Sequence, residues 1–213
     1  MSYLKRQKVP KNWPIERKGT TYVVSPLGKG IPVLILIRDI LKIAKDRAEV
    51  KKALREKNIL MNNKLVKSDK TAASLFDIVS IIPLKKHYRL GISENGKYKL
   101  EEIKETEALK KIAKIINKKT LKGKKTQLNL SDGENFISDI KCKIDDSALI
   151  NLKERKIENC IPLKEKARVL IFSGKHSGES GIVEKINPEK KSAEISSKNG
   201  KINVLIKQII VTE

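Results

Sequence analysis

The chain has 213 residues, of which 47 are Lys or Arg and 25 are Asp or Glu, so its formal net charge at pH 7 is +22. This length allows one large domain or two to three small ones. A charge so one-sided argues against an ordinary soluble enzyme and indicates a large polyanion as the partner. One Trp, four Tyr and three Phe are too few to make base stacking on aromatic rings the main mode of recognition.

The positive charge is spread along the whole chain. Residues 1–30, 31–69, 70–160 and 161–213 each contain more Lys and Arg than Asp and Glu. A single basic tail on an otherwise neutral enzyme is therefore excluded, and several parts of the chain are expected to contact the polyanion.

Neither a membrane partner nor export is expected. The longest apolar stretch, residues 31–37, is far shorter than the roughly 20 residues of a membrane-spanning helix. The basic N-terminus lacks the apolar core of a signal peptide. Cys142 and Cys160 have neither CxxC spacing nor a His nearby. We therefore expect two separate thiols in a reducing cytoplasm, without a disulfide framework, a metal or a cofactor.

Residues 1–30 are predicted to form a basic N-terminal arm, because their seven cations lie among Pro and Gly with no helical or strand period sustained beyond TTYVV. Trp13 is the exception, since a disordered basic tail does not require an indole ring. Its ring either packs on the protein's own surface or stacks on a nucleotide, and the sequence leaves both alternatives open.

A pair of helices is predicted next. After Pro32, apolar residues recur at helical spacing from Val33 to Ala44. Asp46 and Glu49 have the spacing of a capping box that opens a second helix. The apolar positions of this second helix form one face, and its other face carries cations. These cations are Arg47, Lys51, Lys52 and Arg55.

Short strands are predicted over the rest of the chain. The first hairpin turns at Asn62 and Asn63, and a second pair of strands flanks the turn SENG. Residues 106–117 fit a helix and a strand equally well by periodicity. A lysine-rich stretch, residues 118–125, then leads into a strand and the Asp132-Gly133 turn.

Four alternating strands follow Ala167, and the first turn among them contains Gly174, Gly178 and Gly181. This glycine spacing resembles the KOW motif of ribosomal proteins and transcription elongation factors. Lys175 and His176 lie in that turn and are expected to reach toward RNA.

The order of these stretches resembles the S4e family of archaeal and eukaryotic small-subunit ribosomal proteins. The resemblance rests on YLKRQKVPKNWPIERK, the helix pair with its hairpin, YRLGISENGKYKLEEI, TLKGKKTQLNLSDGENF and the KOW segment. It implies an α+β multidomain fold in four parts. These are a basic arm (1–30), an S4-type RNA-binding domain (31–83), a central SH3-like β domain (84–160) and a C-terminal KOW SH3-like small β-barrel (161–213). For residues 106–117 it favours a short helical turn followed by a strand.

The function that the resemblance implies is structural, without catalysis: binding of folded small-subunit rRNA beside neighbouring ribosomal proteins, with no homo-oligomer. Lysines would supply phosphate contacts, and the planar guanidinium groups of arginines would make contacts that depend on geometry. The residues predicted to contact RNA are Lys5, Arg6, Lys8, Lys11, Trp13, Arg17, Lys18, Arg38, Arg47, Lys51, Lys52, Arg55, Lys118, Lys119, Lys122, Lys124, Lys125, Lys175 and His176.

Two other classes of protein explain the sequence less well. S4-type modules also deliver RNA to the catalytic domains of rRNA pseudouridine synthases and some tRNA synthetases, but the small β units after residue 83 leave no room for such a domain. Adjacent carboxylates such as Glu101 and Glu102 point to opposite faces of a strand and make no acid and base pair. A KOW-bearing transcription factor would leave the helix pair and the arm unexplained.

Overall fold

The computed structural model describes residues 3–138, 140–198 and 200–212, with the backbone alone for Lys124. The chain divides into two compact units. The first contains the chain up to Ser93 together with Lys97–Leu109, and the second contains Glu94–Gly96 and the chain from Lys110 onward. Antiparallel strands make up most of both units, beside two short helices in the first. Among the described residues, none of the helices has the length and apolar character needed to span a membrane.

The first unit contains nine strands and two helices. The strands are β1 (Tyr3–Lys5), β2 (Tyr22–Val24), β3 (Ile31–Pro32), β4 (Ile59–Met61), β5 (Lys64–Leu65), β6 (Ala72–Ala73), β7 (Ile78–Ile81), β8 (Lys86–Ile92) and β9 (Tyr98–Ile103). The helices are α1 (Val33–Ile35), which continues as a π-helical turn (Leu36–Ile40), and α2 (Arg47–Arg55). Three 3-10 turns cover Arg6–Lys8, Ile82–Leu84 and Glu107–Leu109.

The N-terminal segment, residues 3–24, is folded onto the first unit. Its two ends pair as the antiparallel strands β1 and β2. Val9 and Trp13 are buried and belong to the same hydrophobic core as α1 and α2. The structure therefore differs from the predicted arm without sustained secondary structure, because the indole and a few aliphatic side chains suffice to dock a chain that has almost no apolar periodicity.

The helix pair is present, but the first helix is shorter than its apolar stripe predicts. The helical turns that begin at Val33 end at Ile40, and Lys42 then adopts a positive φ of 54°. The second helix begins after Asp46, as predicted. The carboxylate of Glu49 accepts a hydrogen bond from the Lys45 backbone N–H at 2.7 Å, and Asp46 makes no capping bond, so the predicted capping box does not form.

The main sheet of the first unit has the order β5-β4-β7-β8-β9. The Asn62–Asn63 hairpin and the strand pair around SENG are confirmed, with both Asn residues at positive φ. Strand β8 hydrogen-bonds to β7 in one continuous sheet. Strands β8 and β9, which the sequence placed with the central β region, thus lie in the same sheet as the Asn62–Asn63 hairpin.

The described residues of the second unit form β-strands joined by turns and loops. Its strands are β10 (Lys110–Thr120), β11 (Thr126–Leu130), β12 (Asn135–Ser138), β13 (Ser147–Asn151), β14 (Lys156–Ile161), β15 (Arg168–Ile171), β16 (Ser180–Asn187), β17 (Ser192–Ser197), β18 (Gly200–Leu205) and β19 (Ile209–Val211). Two 3-10 turns cover Lys122–Lys124 and Ile206–Gln208. The predicted turn and strand over residues 106–117 are confirmed by the 3-10 turn at Glu107–Leu109 and by β10.

Two five-stranded antiparallel sheets form this unit, in the orders β12-β11-β10-β13-β14 and β18-β17-β16-β15-β19. Alternate residues of the second sheet, such as Val169 and Ile171 on β15, point into one apolar core. Lys114 is almost completely buried, and its ammonium group donates to the backbone carbonyls of Ile206 and Ile209. Burial lowers the pKa of Lys114, and its contacts fasten the two sheets together.

The expectation of two separate thiols is wrong for Cys142 and Cys160, which form a disulfide with their Cα atoms 5.9 Å apart. Pairing of β13 with β14 places Cys160 opposite Ala148, and this brings it near the loop that precedes β13. Spacing along the sequence did not reveal the pair, because the approach is created by the sheet and not by a local motif.

Candidate nucleic-acid interface

Most of the arginines that the sequence predicted as RNA contacts make hydrogen bonds within the protein. Arg6 donates to the carbonyl of Thr20 at 2.6 Å, to the carbonyl of Glu16 at 2.9 Å and to the Thr20 hydroxyl at 2.7 Å. Arg17 donates to the carbonyls of Val9 at 3.0 Å and Gln7 at 3.3 Å. These two guanidinium groups hold the loop between β1 and β2 in shape.

Two further arginines pair with carboxylates. Arg38 and Asp39 form a double contact, from Nε to Oδ1 at 3.0 Å and from Nη2 to Oδ2 at 2.9 Å. The hydrogen bond to Asp39 raises the pKa of Arg38 further. Arg47 contacts the nearly buried carboxylate of Asp69 at 2.6 Å. Both arginines keep some exposed surface, but part of their donor capacity is used inside the protein.

Trp13 is only 3% exposed and packs in the core of the first unit. This placement agrees with the alternative that its ring packs on the protein itself. No face of the indole is open to a base, so Trp13 is a structural residue, and we no longer count it among the residues expected to contact RNA.

Helix α2 presents an exposed basic face. Val50 and Leu54 are buried in the core, while Lys51, Lys52 and Arg55 are exposed. In the part of the chain that the structure describes, these three side chains have no hydrogen bond or ion pair. Their donors are therefore available to an external anion.

The lysine-rich hairpin, residues 118–125, lies where β10 leads into β11. Lys118 donates to the carbonyl of Cys142 at 3.3 Å. Lys119, Lys122 and Lys125 are exposed and have no protein partner among the described residues. The side chain of Lys124 lies outside the described part of the chain.

The lysines of the N-terminal segment that were predicted to contact RNA also lack side-chain partners among the described residues. Each is exposed and has no side-chain hydrogen bond or ion pair within residues 3–138, 140–198 and 200–212. They are Lys5, Lys8, Lys11 and Lys18. Among the predicted contacts whose side chains the structure describes, most of the arginines therefore have internal partners, and all of the lysines except Lys118 have none.

The turn between β15 and β16 holds Lys175 and His176. Lys175 is exposed and has no partner within the described chain. His176 Nδ1 lies 3.0 Å from Glu179 Oε1, and the Ser197 hydroxyl donates to Glu179 Oε2 at 3.0 Å. The hydrogen bond with His176 lowers the pKa of Glu179. His176 is therefore held by a carboxylate, with its Nε2 left for other contacts.

Sequence reasoning missed the internal partners of the arginines. Asp39 was visible, since it directly follows Arg38. The carbonyls that Arg6 and Arg17 contact carry no sequence signal, because every residue has one and only the folded loop brings them into reach. Among the described residues, no group of three or more His, Cys, Asp or Glu side chains is arranged to hold a metal ion.

Comparison with known proteins identifies the family of this chain. The profile of the ribosomal family S4e matches residues 84–157. The small ribosomal subunit protein eS4 of Methanocella arvoryzae is 37% identical over 198 residues, which cover 90% of this chain and 84% of the relative. The eS4 protein of Haloarcula marismortui is 34% identical over 91% of this chain and 86% of the relative. The chain belongs to the ribosomal S4e family.

A solved structure supports the fold of this S4e family member. The S4e protein from Thermoplasma acidophilum has a TM-score of 0.72 to this chain and covers 85% of it, along with 93% of its own length, at 24% identity. Both are built mostly of β-strands. Members of the family are ribosomal proteins without enzymatic activity, and the relatives are archaeal. The chain is accordingly a ribosomal, cytoplasmic protein and not an enzyme.

Proposed function

We propose that the protein is a structural constituent of the small ribosomal subunit that binds folded small-subunit rRNA, mainly through phosphate contacts from its free lysines. The observation that carries this proposal is the division of the predicted cations. Arg6, Arg17, Arg38 and Arg47 have protein partners, while the predicted lysines other than Lys118 have none among the side chains that the structure describes. The charges of Arg38 and Arg47 are compensated by carboxylates, and the donors of Arg6 and Arg17 are used by backbone carbonyls. A lysine without a partner offers an external anion both its full charge and its donors.

The free cations that the sequence predicted as RNA contacts belong to four separate surfaces. These are the N-terminal segment, the basic face of α2, the lysine-rich hairpin and the turn that contains Lys175. An ammonium group contacts phosphate as a point charge and releases bound counterions, which is a source of affinity without sequence preference. Specificity for one RNA then comes from the fixed arrangement of cations within each unit, matched to the folded shape of the rRNA.

The finer domain names are part of this proposal. Helix α2 with its free cations and the Asn62–Asn63 hairpin support an S4-type RNA-binding domain at residues 31–83. The two sheets of the second unit support a central SH3-like β domain within residues 84–160 and a KOW barrel at residues 161–213. Neighbouring small-subunit proteins are the expected protein partners, and no homo-oligomer is expected.

Sedimentation tests the proposal. A tagged copy should migrate with small ribosomal subunits at low salt and leave them only at high salt, because its affinity comes from phosphate contacts. A protein that stays in the soluble pool at low salt would contradict the proposal. Migration with large subunits or with RNA polymerase would do the same.

A charge-reversal variant tests the basic face of α2. The replacements Lys51→Glu, Lys52→Glu and Arg55→Glu leave the buried residues of the helix in place, so the protein should fold while its release from subunits shifts to lower salt. The control carries Lys190→Glu and Lys191→Glu, an exposed pair in the turn between β16 and β17. Equal release of both variants would show that α2 faces solvent or another protein.

A further inference from the structure

A pocket of about 480 Å³ opens on the surface of the first unit. One part of its wall is the loop that follows Trp13, with Glu16 and Lys18, and another part is the π-helical turn, with Arg38 and Asp39. Arg6 also lines the pocket. The volume falls within the range of about 300 to 1,000 Å³ that is typical of pockets for small molecules and single nucleotides.

The loop wall is built by Arg6. Its three hydrogen bonds to Glu16 and Thr20 close the loop around the guanidinium group. Gly19 permits this approach, since its φ is +128° and an added Cβ would lie 3.2 Å from Arg6 Cζ. The loop wall is thus fixed by the protein before any ligand binds.

The helical wall is fixed as well. The double contact between Arg38 and Asp39 locks two adjacent side chains in one arrangement. Residues Leu36–Ile40 form a π-helical turn, a rare conformation that is found often at functional sites. Two preformed walls lower the entropy that a ligand loses on binding.

The charges around the pocket select the class of ligand. Lys18 is a cation and Glu16 is a carboxylate, and neither has a side-chain partner among the described residues. Arg38 and Asp39 compensate each other's charge, and Arg6 donates to the backbone carbonyls of the loop. A bare phosphate would be attracted by Lys18 but repelled by Glu16. A ligand that carries both an anionic group and hydrogen-bond donors can contact the cation and the carboxylate at the same time. A nucleotide is such a ligand. Pro14, Ile15 and Val23 add an apolar surface for the face of a base.

Among the four bases of RNA, guanine presents two neighbouring donors, N1–H and the N2 amino group, on its Watson–Crick edge. A carboxylate with two oxygens can accept from both. We propose that this pocket binds one unpaired guanosine of the rRNA, with Lys18 contacting its phosphate and Glu16 accepting from its base edge. The inference deepens the proposed rRNA binding and depends on it, since unpaired bases are the parts of RNA that proteins read by sequence.

Binding of mononucleotides to the full-length protein tests the pocket. Titrations followed by NMR at low salt would use 5′-GMP, 5′-IMP, 5′-UMP and inorganic phosphate as the four probes. We expect GMP to bind at least about fivefold more tightly than UMP. IMP, which lacks the N2 amino group, should bind more weakly than GMP, and phosphate should bind most weakly. Equal affinities for all four probes would overturn the proposal.

Glu16→Gln separates base recognition from general electrostatics. If Glu16 accepts from guanine, the variant should lose the preference for GMP over UMP. If Glu16 only repels phosphate, the variant should bind every probe more tightly. The matched control is Glu165→Gln, at an exposed carboxylate of the second unit without a side-chain partner in the described chain. The control should leave the GMP preference unchanged, and an equal loss in both variants would overturn the assignment.

The rRNA itself distinguishes failure of the pocket from failure of the proposed function. Wild-type protein that binds small-subunit rRNA but shows no GMP preference disproves the pocket alone. Protein that binds neither rRNA nor nucleotide disproves the function on which the pocket depends.

Discussion

The N-terminal segment and the lysine-rich hairpin are similarly basic in sequence, yet the fold uses their charges in opposite ways. In the N-terminal segment, Arg6 and Arg17 donate to backbone carbonyls and Trp13 is buried. In the hairpin, Lys119, Lys122 and Lys125 are exposed and have no partner among the described residues. The arginines of the N-terminal segment thus stabilise a loop, while the exposed lysines of both regions have donors available for an external anion.

The difference follows from the chemistry of the two side chains. A guanidinium group carries five donors in a planar fork and can satisfy several carbonyls of one loop at once. An ammonium group is a compact, strongly hydrated charge, which loses more than it gains when it is withdrawn from water for a single carbonyl. A count of positive residues therefore predicts the sign of the surface potential. Which cations are free is decided by the contacts of the folded chain, since lysines such as Lys86 and Lys201 also form ion pairs.

The largest expected effect is on the N-terminal segment. Trp13→Ala should reduce the free energy of unfolding by about 3 to 5 kcal/mol, because it removes a buried indole from the core of the first unit. Urea unfolding followed by circular dichroism measures this loss. Limited proteolysis should then cut rapidly between Lys5 and Lys18, whereas we expect the packed segment of the wild type to be cut slowly.

Trp13→Phe is the control, since it keeps a buried aromatic ring and should retain most of the stability. Trp13 is the only Trp of the chain, so wild-type fluorescence reports its environment directly. Emission typical of exposed Trp, together with unchanged stability of the alanine variant, would show that the segment is a mobile arm.

A structural residue and a free cation also lie close together around the turn between β15 and β16. Gly181 is at the start of β16, and Lys175 is in the turn. An added Cβ at Gly181 would lie 2.4 Å from the carbonyl oxygen of Ser196 and 2.6 Å from the Ile195 side chain. Gly181→Val should therefore destabilise the protein by about 2 kcal/mol. Lys175→Ala should leave stability within about 0.5 kcal/mol and weaken rRNA binding. Melting temperatures and rRNA affinities of both variants measure the two effects, and a stable Gly181→Val protein would contradict the close approach.

Much of this fold follows from the sequence because its signals are local. The Asn62–Asn63 hairpin, the Asp132-Gly133 turn and the alternating strands after Ala167 are encoded within a few residues each. The short strands β6 and β7 were not predicted, since residues 68–81 show no clear period. Strand β7 forms through its pairing with β4 and β8.

The interface was predictable only in part. The exposed cations of α2 follow from helical spacing, because the opposite face is apolar. The internal bonds of Arg6, the burial of Trp13 and the Cys142–Cys160 disulfide depend on residues far apart in the chain. Such contacts arise from tertiary structure, which composition and periodicity do not encode.

A smaller effect on stability is expected when the pH changes the protonation of Glu179. The hydrogen bond with His176 lowers the pKa of Glu179 below its unfolded value. The stability that this carboxylate contributes is therefore present above the unfolded pKa, near pH 4, and is lost as the pH falls through the folded value. Because the contact with His176 lies near the surface and is screened by solvent, Glu179→Gln should lower the melting temperature at pH 6 by no more than about 2 °C.

At pH 3 the melting temperatures of Glu179→Gln and the wild type should converge. Glu165→Gln, at an exposed carboxylate without a side-chain partner in the described chain, is the control and should track the wild type at both pH values. If the difference in melting temperature between Glu179→Gln and the wild type grew as the pH fell, the contact with His176 would be contradicted.

The smallest expected effect on stability, and the sharpest test of the comparison, is on the lysine-rich hairpin. Lys119→Ala, Lys122→Ala and Lys125→Ala together should change the free energy of unfolding by less than about 0.5 kcal/mol, because none of these side chains contacts the protein within its described part. If each contacts a phosphate, the plot of log affinity for rRNA against log salt should flatten by about 0.7 to 0.9 per lysine. Replacement by Arg should restore the slope, since charge alone is required. A triple alanine variant with normal stability and an unchanged slope would show that free cations are not sufficient to identify the RNA-binding surface.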